Sequence, residues 1–370
     1  MLSKTDIRCA PSRKPPLKTE EVPQFVVFGS DDNGISGLPE SGKKGGLQFI
    51  LELFSASNPT GRNNPATYDG QKTSITLYVS TIYASSDFSD RAELVRKQWL
   101  AFLAEGHELG CHAHSHLHGE PMSLEEWEQE LARFFEIIEA PLGKGGLGLN
   151  RLSLAGFRTP FLEYNRNTFE AISQAGFCYD CSLEEGFGDN EDGRNFYWPS
   201  TLDYPSPGNQ LLYAGNQNKE IGLYPGLWEI PAYTYLVPPR ELCKAYGMEP
   251  EIWDRLLAVN PQFKGKITGF DWNLWIYYKL GKAEFVGILK YSLDQRLAGN
   301  RCPFTVGIHS DIYSEAYDEL LHSDPARPVA DYNERMEALR EFYEYALSIP
   351  LVRIVSAEKL VKWLSNPVSL

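Results

Sequence analysis

Pro23-Gln24-Phe25-Val26-Val27-Phe28-Gly29-Ser30-Asp31-Asp32 joins an unbroken apolar run to two adjacent carboxylates. A run of β-branched and aromatic residues with no polar alternation reads as a strand buried on both faces, the signature of a parallel sheet. The carboxylates then stand at its C-terminal end, which in a β/α barrel is the face that carries the chemistry. Asp32-Asn33-Gly34 also contains a hairpin signal, but residues 35–46 supply no second strand to pair with.

The same pattern recurs along the chain. Short apolar runs predict strands at 25–29, 75–80, 108–111, 153–157, 177–180, 228–234, 304–308 and 352–355. Amphipathic segments between them predict helices at 48–54, 91–105, 124–138, 167–174 and 332–347. This alternation is that of a distorted (β/α) barrel of seven or eight strands, one domain over residues 23–366 behind an extended leader at 1–22. Residues 189–223 and 237–283, rich in Gly, Pro, Asn and aromatics, interrupt it and read as long loop insertions over one face, candidates for substrate binding.

A chain of 370 residues, 42% hydrophobic, can bury a core of barrel size. Its 49 acidic against 35 basic side chains give a formal net charge of -14, which excludes nucleic acid as a partner and disfavours anionic lipid surfaces. No run of 18 apolar residues exists, so no membrane insertion is expected. Residues 1–18 hold no apolar signal segment, leaving two options: a cytosolic chain, or one whose signal peptide was removed. The six cysteines are scattered, and Cys178 and Cys181 form a lone C-x-x-C, so buried thiols are expected rather than structural zinc. Cys9, in the leader, and Cys302, just before the strand at 304–308, are expected at one rim and could form a disulfide in an oxidising compartment.

Four signals carry chemistry. The Asp31-Asp32 pair is the first. The second is Gly110-Cys111-His112-Ala113-His114-Ser115-His116-Leu117-His118, which packs four of the chain's seven histidines into seven residues behind a strand. Such a cluster favours metal binding, because imidazoles in His-x-x-x-His can bring two ring nitrogens to one ion. Third, Gly156-Phe157-Arg158-Thr159-Pro160-Phe161 delivers an arginine to a strand end. Fourth, Val306-Gly307-Ile308-His309 delivers a histidine in the same way. One carboxylate and two imidazoles make a three-ligand zinc site with a position open for water. The second carboxylate can then act as general base and the distant histidine as general acid, with Arg158 keeping the base ionised.

These motifs resemble the polysaccharide deacetylase family, carbohydrate esterase family 4 with its NodB homology domain, over Pro23 to about Tyr313. Thr-Phe-Asp-Asp is similar to Gly29-Ser30-Asp31-Asp32, His-Ser/Thr-x-x-His to the 112–116 cluster, and Arg-x-Pro-Phe/Tyr to Arg158-Thr159-Pro160-Phe161. Tyr179-Asp180-Cys181-Ser182 and Val306-Gly307-Ile308-His309 resemble the two later motifs. Tyr197-Trp198-Pro199-Ser200-Thr201-Leu202-Asp203-Tyr204 and Pro225-Gly226-Leu227-Trp228-Glu229-Ile230-Pro231 resemble the chitin deacetylase-like branch, which acts outside cells.

The resemblance implies hydrolysis of N-acetylglucosamine amides in a structural polysaccharide, chitin or peptidoglycan, by a secreted, periplasmic or cell-wall protein. It implies Zn2+ or another divalent transition metal such as Co2+ held by Asp32, His112 and His116. Asp31 is then the base, His309 the acid and Arg158 the partner of the base. The backbone N–H of Phe161 contributes to an oxyanion hole, and Asp180 supports the site from behind. Trp198, Trp228 and Tyr233 are candidates to stack on sugar rings, with core packing the alternative for all three and an equal one for Trp228. Ala113 lacks the hydroxyl that usually follows the first histidine, so His114 and His118, at the same spacing, are the alternative ligand pair. Asp311 and Tyr313 replace the aromatic expected after the last histidine. Two other functions stay open: a catalytically silent glycan-binding member of the same fold, and a deacylase of a small amide.

Overall fold

A computed structural model describes residues 12–40, 42–209, 220–321, 323–325 and 327–370. Cys9 and residues 210–219 of the first expected insertion lie outside the described residues. Twelve strands are present among those described: β1 (Gln24–Asp31), β2 (Thr76–Val79), β3 (Glu108–Cys111), β4 (Gly156–Phe157), β5 (Tyr179–Asp180), β6 (Glu184–Glu185), β7 (Ser200–Leu202), β8 (Tyr224–Glu229), β9 (Ala232–Leu236), β10 (Lys266–Thr268), β11 (Phe304–His309) and β12 (Val352–Ile354).

Seven strands run parallel in the order β11-β1-β2-β3-β4-β5-β8, and β7 adds antiparallel at the end. β12 pairs with the first half of β1. A smaller sheet, β10-β9-β6, continues the wall, with β6 following β5 and β9 following β8. It meets β11 through the Phe270–Gly307 bridge, the hydrogen bond from Gly307 N to Gly269 O at 2.9 Å and that from Tyr233 N to Thr305 Oγ1 at 3.1 Å. The result is a distorted β/α barrel, closed at one seam by isolated contacts rather than a ladder.

All eight residues of β1 are buried, as a central parallel strand requires. Alternate side chains serve two cores: Phe25 and Val27 join a cluster with Tyr78, Tyr179, Trp228 and Tyr233, whereas Val26 and Phe28 pack with Trp99, Phe54 and Phe342 beneath the helices. The odd-numbered side chains of β1 therefore point into the barrel, and Asp31 ends that inward row.

Of the expected elements, the strand at 108–111 and the helix at 332–347 match in full, and most others lie within two residues of their expected ends. Two expectations need correction. The run 228–234 is two strands, because Pro231 has no N–H to continue a ladder. The end of the expected insertion at 237–283 opens a helix, Lys282–Ala298, which buries Phe285, Val286, Ile288, Leu289, Leu293 and Arg296 and so shows no one-sided stripe in the sequence. Among the described residues no helix is long and apolar enough to cross a membrane.

Candidate active site

Strand register brings the reactive groups to one rim. Asp31 pairs across with His309, Cys111 with Phe157 and Phe157 with Asp180, so His112, Arg158, Asp31 and His309 leave neighbouring strands at one level. They open onto a cleft of about 660 Å3 whose lining includes Asp31, Asp32, His112, His116, Phe161 and His309.

The turn after β1 is strained and braced. Asp32 and Asn33 hold left-handed φ values of 63° and 55°. Buried Asn33 sustains them by donating through Nδ2 to Ser30 O (2.7 Å) and Tyr78 O (2.9 Å), accepting from Ser30 Oγ at 2.6 Å, and accepting at its carbonyl from Trp99 Nε1. Its side chain thus does what a second strand would do in a hairpin. The turn splits the two carboxylates, with Asp31 facing Arg158 and Asp32 the histidines.

Asp32 Oδ1 lies 2.8 Å from His116 Nε2 and 3.7 Å from His112 Nε2, is shielded from solvent and receives no well-aligned hydrogen bond. Burial opposes its charge, but His116, His112 and His309 outweigh it and hold the carboxyl below the usual carboxylate range. Burial pushes His112 down to about 4, so its imidazole is neutral. His112 Nδ1 sits 2.8 Å from Arg158 O, and because a carbonyl only accepts, Nδ1 carries the proton and Nε2 presents its lone pair to the cluster. The ligand atoms of Asp32, His112 and His116 all lie within 4.8 Å of one another. Two borderline-soft nitrogens and one carboxylate oxygen fit a divalent ion of the zinc type, with coordination left for water and substrate.

The other two histidines of the cluster are turned away. His114 Nδ1 meets Thr81 Oγ1 at 2.9 Å, and the backbone N–H groups of His114 and Ser115 donate to Glu130 Oε2. Glu130 lies on the buried face of helix Leu124–Glu139, which starts at a Ser123/Glu126 capping box, so the helix ties down the loop. His118 is exposed, paired with Glu163 at 3.0 Å and stacked on Phe161. Ala113, at φ 59°, is buried where a serine or threonine was expected, and Ser115 Oγ donates to Glu130 Oε1 instead.

Arg158 Nη1 donates to Asp31 Oδ1 at 2.6 Å, and its guanidinium lies over the Tyr78 ring at 4.1 Å. A Cβ at position 29 would stand 2.8 Å from Arg158 Nη1 and 2.9 Å from the Tyr78 ring, so Gly29 is what lets the guanidinium reach across β1. Burial disfavours the charge on Arg158, yet Asp31 more than compensates and raises its pKa. Asp180 accepts from Ser182 N and Ser182 Oγ, both at 2.7 Å, and Ser182 Oγ accepts from Thr159 N at 2.9 Å. That chain fixes the loop between Arg158 and Phe161. Phe161 lines the cleft at φ 58°, with its ring against His116.

His309 Nδ1 meets Asp271 Oδ1 at 2.7 Å, and its backbone N–H donates to Asp271 Oδ2 at 3.0 Å. Burial works against the imidazolium, but Asp271, Asp32 and Asp31 outweigh it and lift the pKa to about 10. Asp271 was missed because it lies in the expected insertion at 237–283. The signal was present, since Ile267-Thr268-Gly269-Phe270-Asp271 repeats the design of an apolar run ending in a carboxylate.

The expected sugar platforms need correction. Trp198, Trp228 and Tyr233 are each at most 1% exposed and belong to the inner core cluster, because they lie on or beside strands whose inward side chains fill the barrel. The cleft instead offers Phe161, Phe270 and Trp272.

Fold and site together define a β/α barrel whose rim carries three side chains that could hold a metal ion, flanked by an Asp–Arg and a His–Asp pair. The family model for polysaccharide deacetylases matches residues 68–179, which include the histidine cluster and the Arg158 loop. Over that segment the chain is similar to the polysaccharide deacetylase family. A Mycobacterium smegmatis structure assigned as a polysaccharide deacetylase is similar over 98% of both chains at 14% identity and a TM-score of 0.54, a likeness of fold. A Pseudomonas aeruginosa structure assigned likewise gives 15% identity over 93% of this chain and 92% of its own, with a TM-score of 0.48. An allantoinase gives 16% over 95% of both, with a TM-score of 0.47. No curated protein sequence matches the chain.

Proposed function

We propose that the chain is a metal-dependent N-deacetylase that hydrolyses the acetamide of N-acetylglucosamine residues in a structural polysaccharide, releasing acetate and leaving an amine. The observation that carries this reading is the convergence of Asp31–Arg158, Asp32–His112–His116 and His309–Asp271 on one cleft. Asp32, His112 and His116 would hold Zn2+ or a similar divalent ion. Such an ion, when bound, polarises the acetamide carbonyl and lowers the pKa of water toward 7. Asp31 takes the proton of the attacking water, and Arg158, bonded to its Oδ1, holds that carboxylate in place. The Phe161 backbone N–H faces the carbonyl oxygen as charge builds on it. His309, oriented by Asp271, gives its proton to the departing nitrogen, so water is divided between acetate and amine.

Such polymers lie outside the cytoplasm, and the proposal places the protein there, as a secreted, periplasmic or wall-associated enzyme. The test is acetate release from chitin oligomers and peptidoglycan by protein of known metal content. Failure to release acetate from either with stoichiometric zinc bound would reject it.

A further inference from the structure

Within the N-deacetylase reading of this site, we propose that the cleft selects its glycan by charge. It takes neutral or amine-bearing N-acetylhexosamine chains and rejects those carrying carboxylates, with Glu184 and Asp311 setting the preference. Six carboxylates line the cleft, Asp31, Asp32, Glu120, Glu163, Glu184 and Asp311, and no lysine or arginine joins them. Arg158, the His309 imidazolium and a divalent ion would offset four of these six charges, and all three belong to the reacting centre. The walls stay negative.

Three of these acids come from separate elements of the cleft wall. Glu184 is on β6 and accepts from Thr268 Oγ1 at 2.6 Å. Asp311 follows His309 by two residues and accepts from Ile312 N at 2.9 Å. Glu163 lies beyond the Phe161 loop, beside His118. A charged substituent on a neighbouring sugar meets the same sign whichever way the chain runs. A cleft of one sign with low-dielectric walls focuses its field on the ligand, and the formal net charge of -14 adds to it. Between the acids, Trp272 and Phe161, 44% and 53% exposed, offer apolar surface to uncharged ring faces. Each turnover turns a neutral acetamide into an ammonium, so the acidic walls also favour a chain that is already partly deacetylated. Lactyl and stem-peptide carboxylates of peptidoglycan would be repelled.

The experiment compares a chitin pentamer, a partly N-deacetylated pentamer and a carboxymethylated chitin pentamer at low ionic strength, using protein purified with its metal. Acetate release and calorimetric binding are both read. Discrimination against the carboxymethylated chain should reach about tenfold, and salt should narrow it. Asp311→Asn combined with Glu184→Gln should also narrow it, by about threefold or more. Equal binding and turnover of neutral and carboxymethylated chains, or a gap that neither salt nor the double variant moves, overturns charge selection. Absence of acetate from all three chains rejects the deacetylase reading, and the binding preference still decides the inference about charge.

Discussion

Two buried arginine–aspartate pairs sit at opposite ends of β1, and they differ in what else their carboxylates meet. At the N-terminal end Arg353, in register with Phe25, donates to Asp69 and to the carbonyls of Thr67, Pro350 and Val352. Asp69 Oδ2 accepts from Arg62 N at 2.8 Å and Asn64 N at 3.1 Å, and neither side chain of the pair leaves a buried polar atom without a partner. At the C-terminal end Arg158 holds Asp31, and beside them Asp32 Oδ1 and the two Nε2 atoms converge without satisfying one another. The first pair is complete in itself and joins loops to β12. Beside the second, unspent coordinating capacity faces a cleft, and that distinguishes a functional ion pair from a structural one.

The largest expected effect tests the open end. Asp32→Ala, His112→Ala or His116→Ala should each abolish stoichiometric zinc and lower kcat/KM for acetate release by at least about 10³-fold, since a metal centre supplies several kcal/mol of transition-state stabilisation. Metal analysis beside kinetics checks it, and one such variant retaining both zinc and rate would remove that residue from the ligand set. Asp31→Asn should lose about 10²–10⁴-fold in kcat, the range for a general base, while its zinc content stays at wild-type level. Loss of zinc there would move Asp31 into the ligand set.

The closed end should respond in stability instead. Asp69→Ala strands Arg353 in the core and should cost about 3–5 kcal/mol of unfolding free energy by denaturant titration, with kcat of the folded fraction unchanged. Burial raises the pKa of Asp69, but the N–H groups of Asn64 and Arg62 together with Arg353 outweigh it, so its folded value lies below the unfolded one. Its stabilisation is therefore present above the ordinary aspartate range and lost as pH falls through the lower folded value.

A smaller effect belongs to Asp271. His309 must carry a proton to act as acid and keeps it up to about pH 10, because Asp271 leads the carboxylates that overcome its burial. Asp271→Asn should bring the alkaline limb of kcat down toward the ordinary imidazole value near ~6.5 and cost about 10–100-fold at pH 8. An unchanged alkaline limb would show that His309 is not the acid.

The rim was legible in the sequence because each reactive group follows an apolar run, and parallel register turns that local pattern into a shared level: Asp31 opposite His309, and beyond β2 His112 and Arg158 at the ends of β3 and β4. Asp271 carries the same signal in a weaker form, because β10 is three residues long and its partner β9 runs antiparallel, so neither announces a barrel strand. The tryptophans misled for a different reason. Trp198 and Trp228 sit among loop-like residues, yet their indoles fill the barrel's inner layer, and sequence does not tell an inward aromatic from one at the mouth.

The smallest expected effect separates the two histidine registers. His118 repeats the spacing of His116 from a histidine four residues before it, but its side chain is 68% exposed, and its partners are Glu163 and the flat face of Phe161 rather than Asp32. An exposed pair of this kind contributes little, about 0–1 kcal/mol, because solvent screens it and two side chains must be held still. His118→Ala should therefore keep full zinc occupancy and shift stability by no more than about 0.5 kcal/mol. Its one functional trace should come through Phe161, whose ring loses a stacking neighbour beside His116, and a rise in KM of about two- to threefold with kcat held is the expected reading. Loss of zinc in this variant, with zinc retained in His116→Ala, would exchange the two histidines and with them the geometry of the open end.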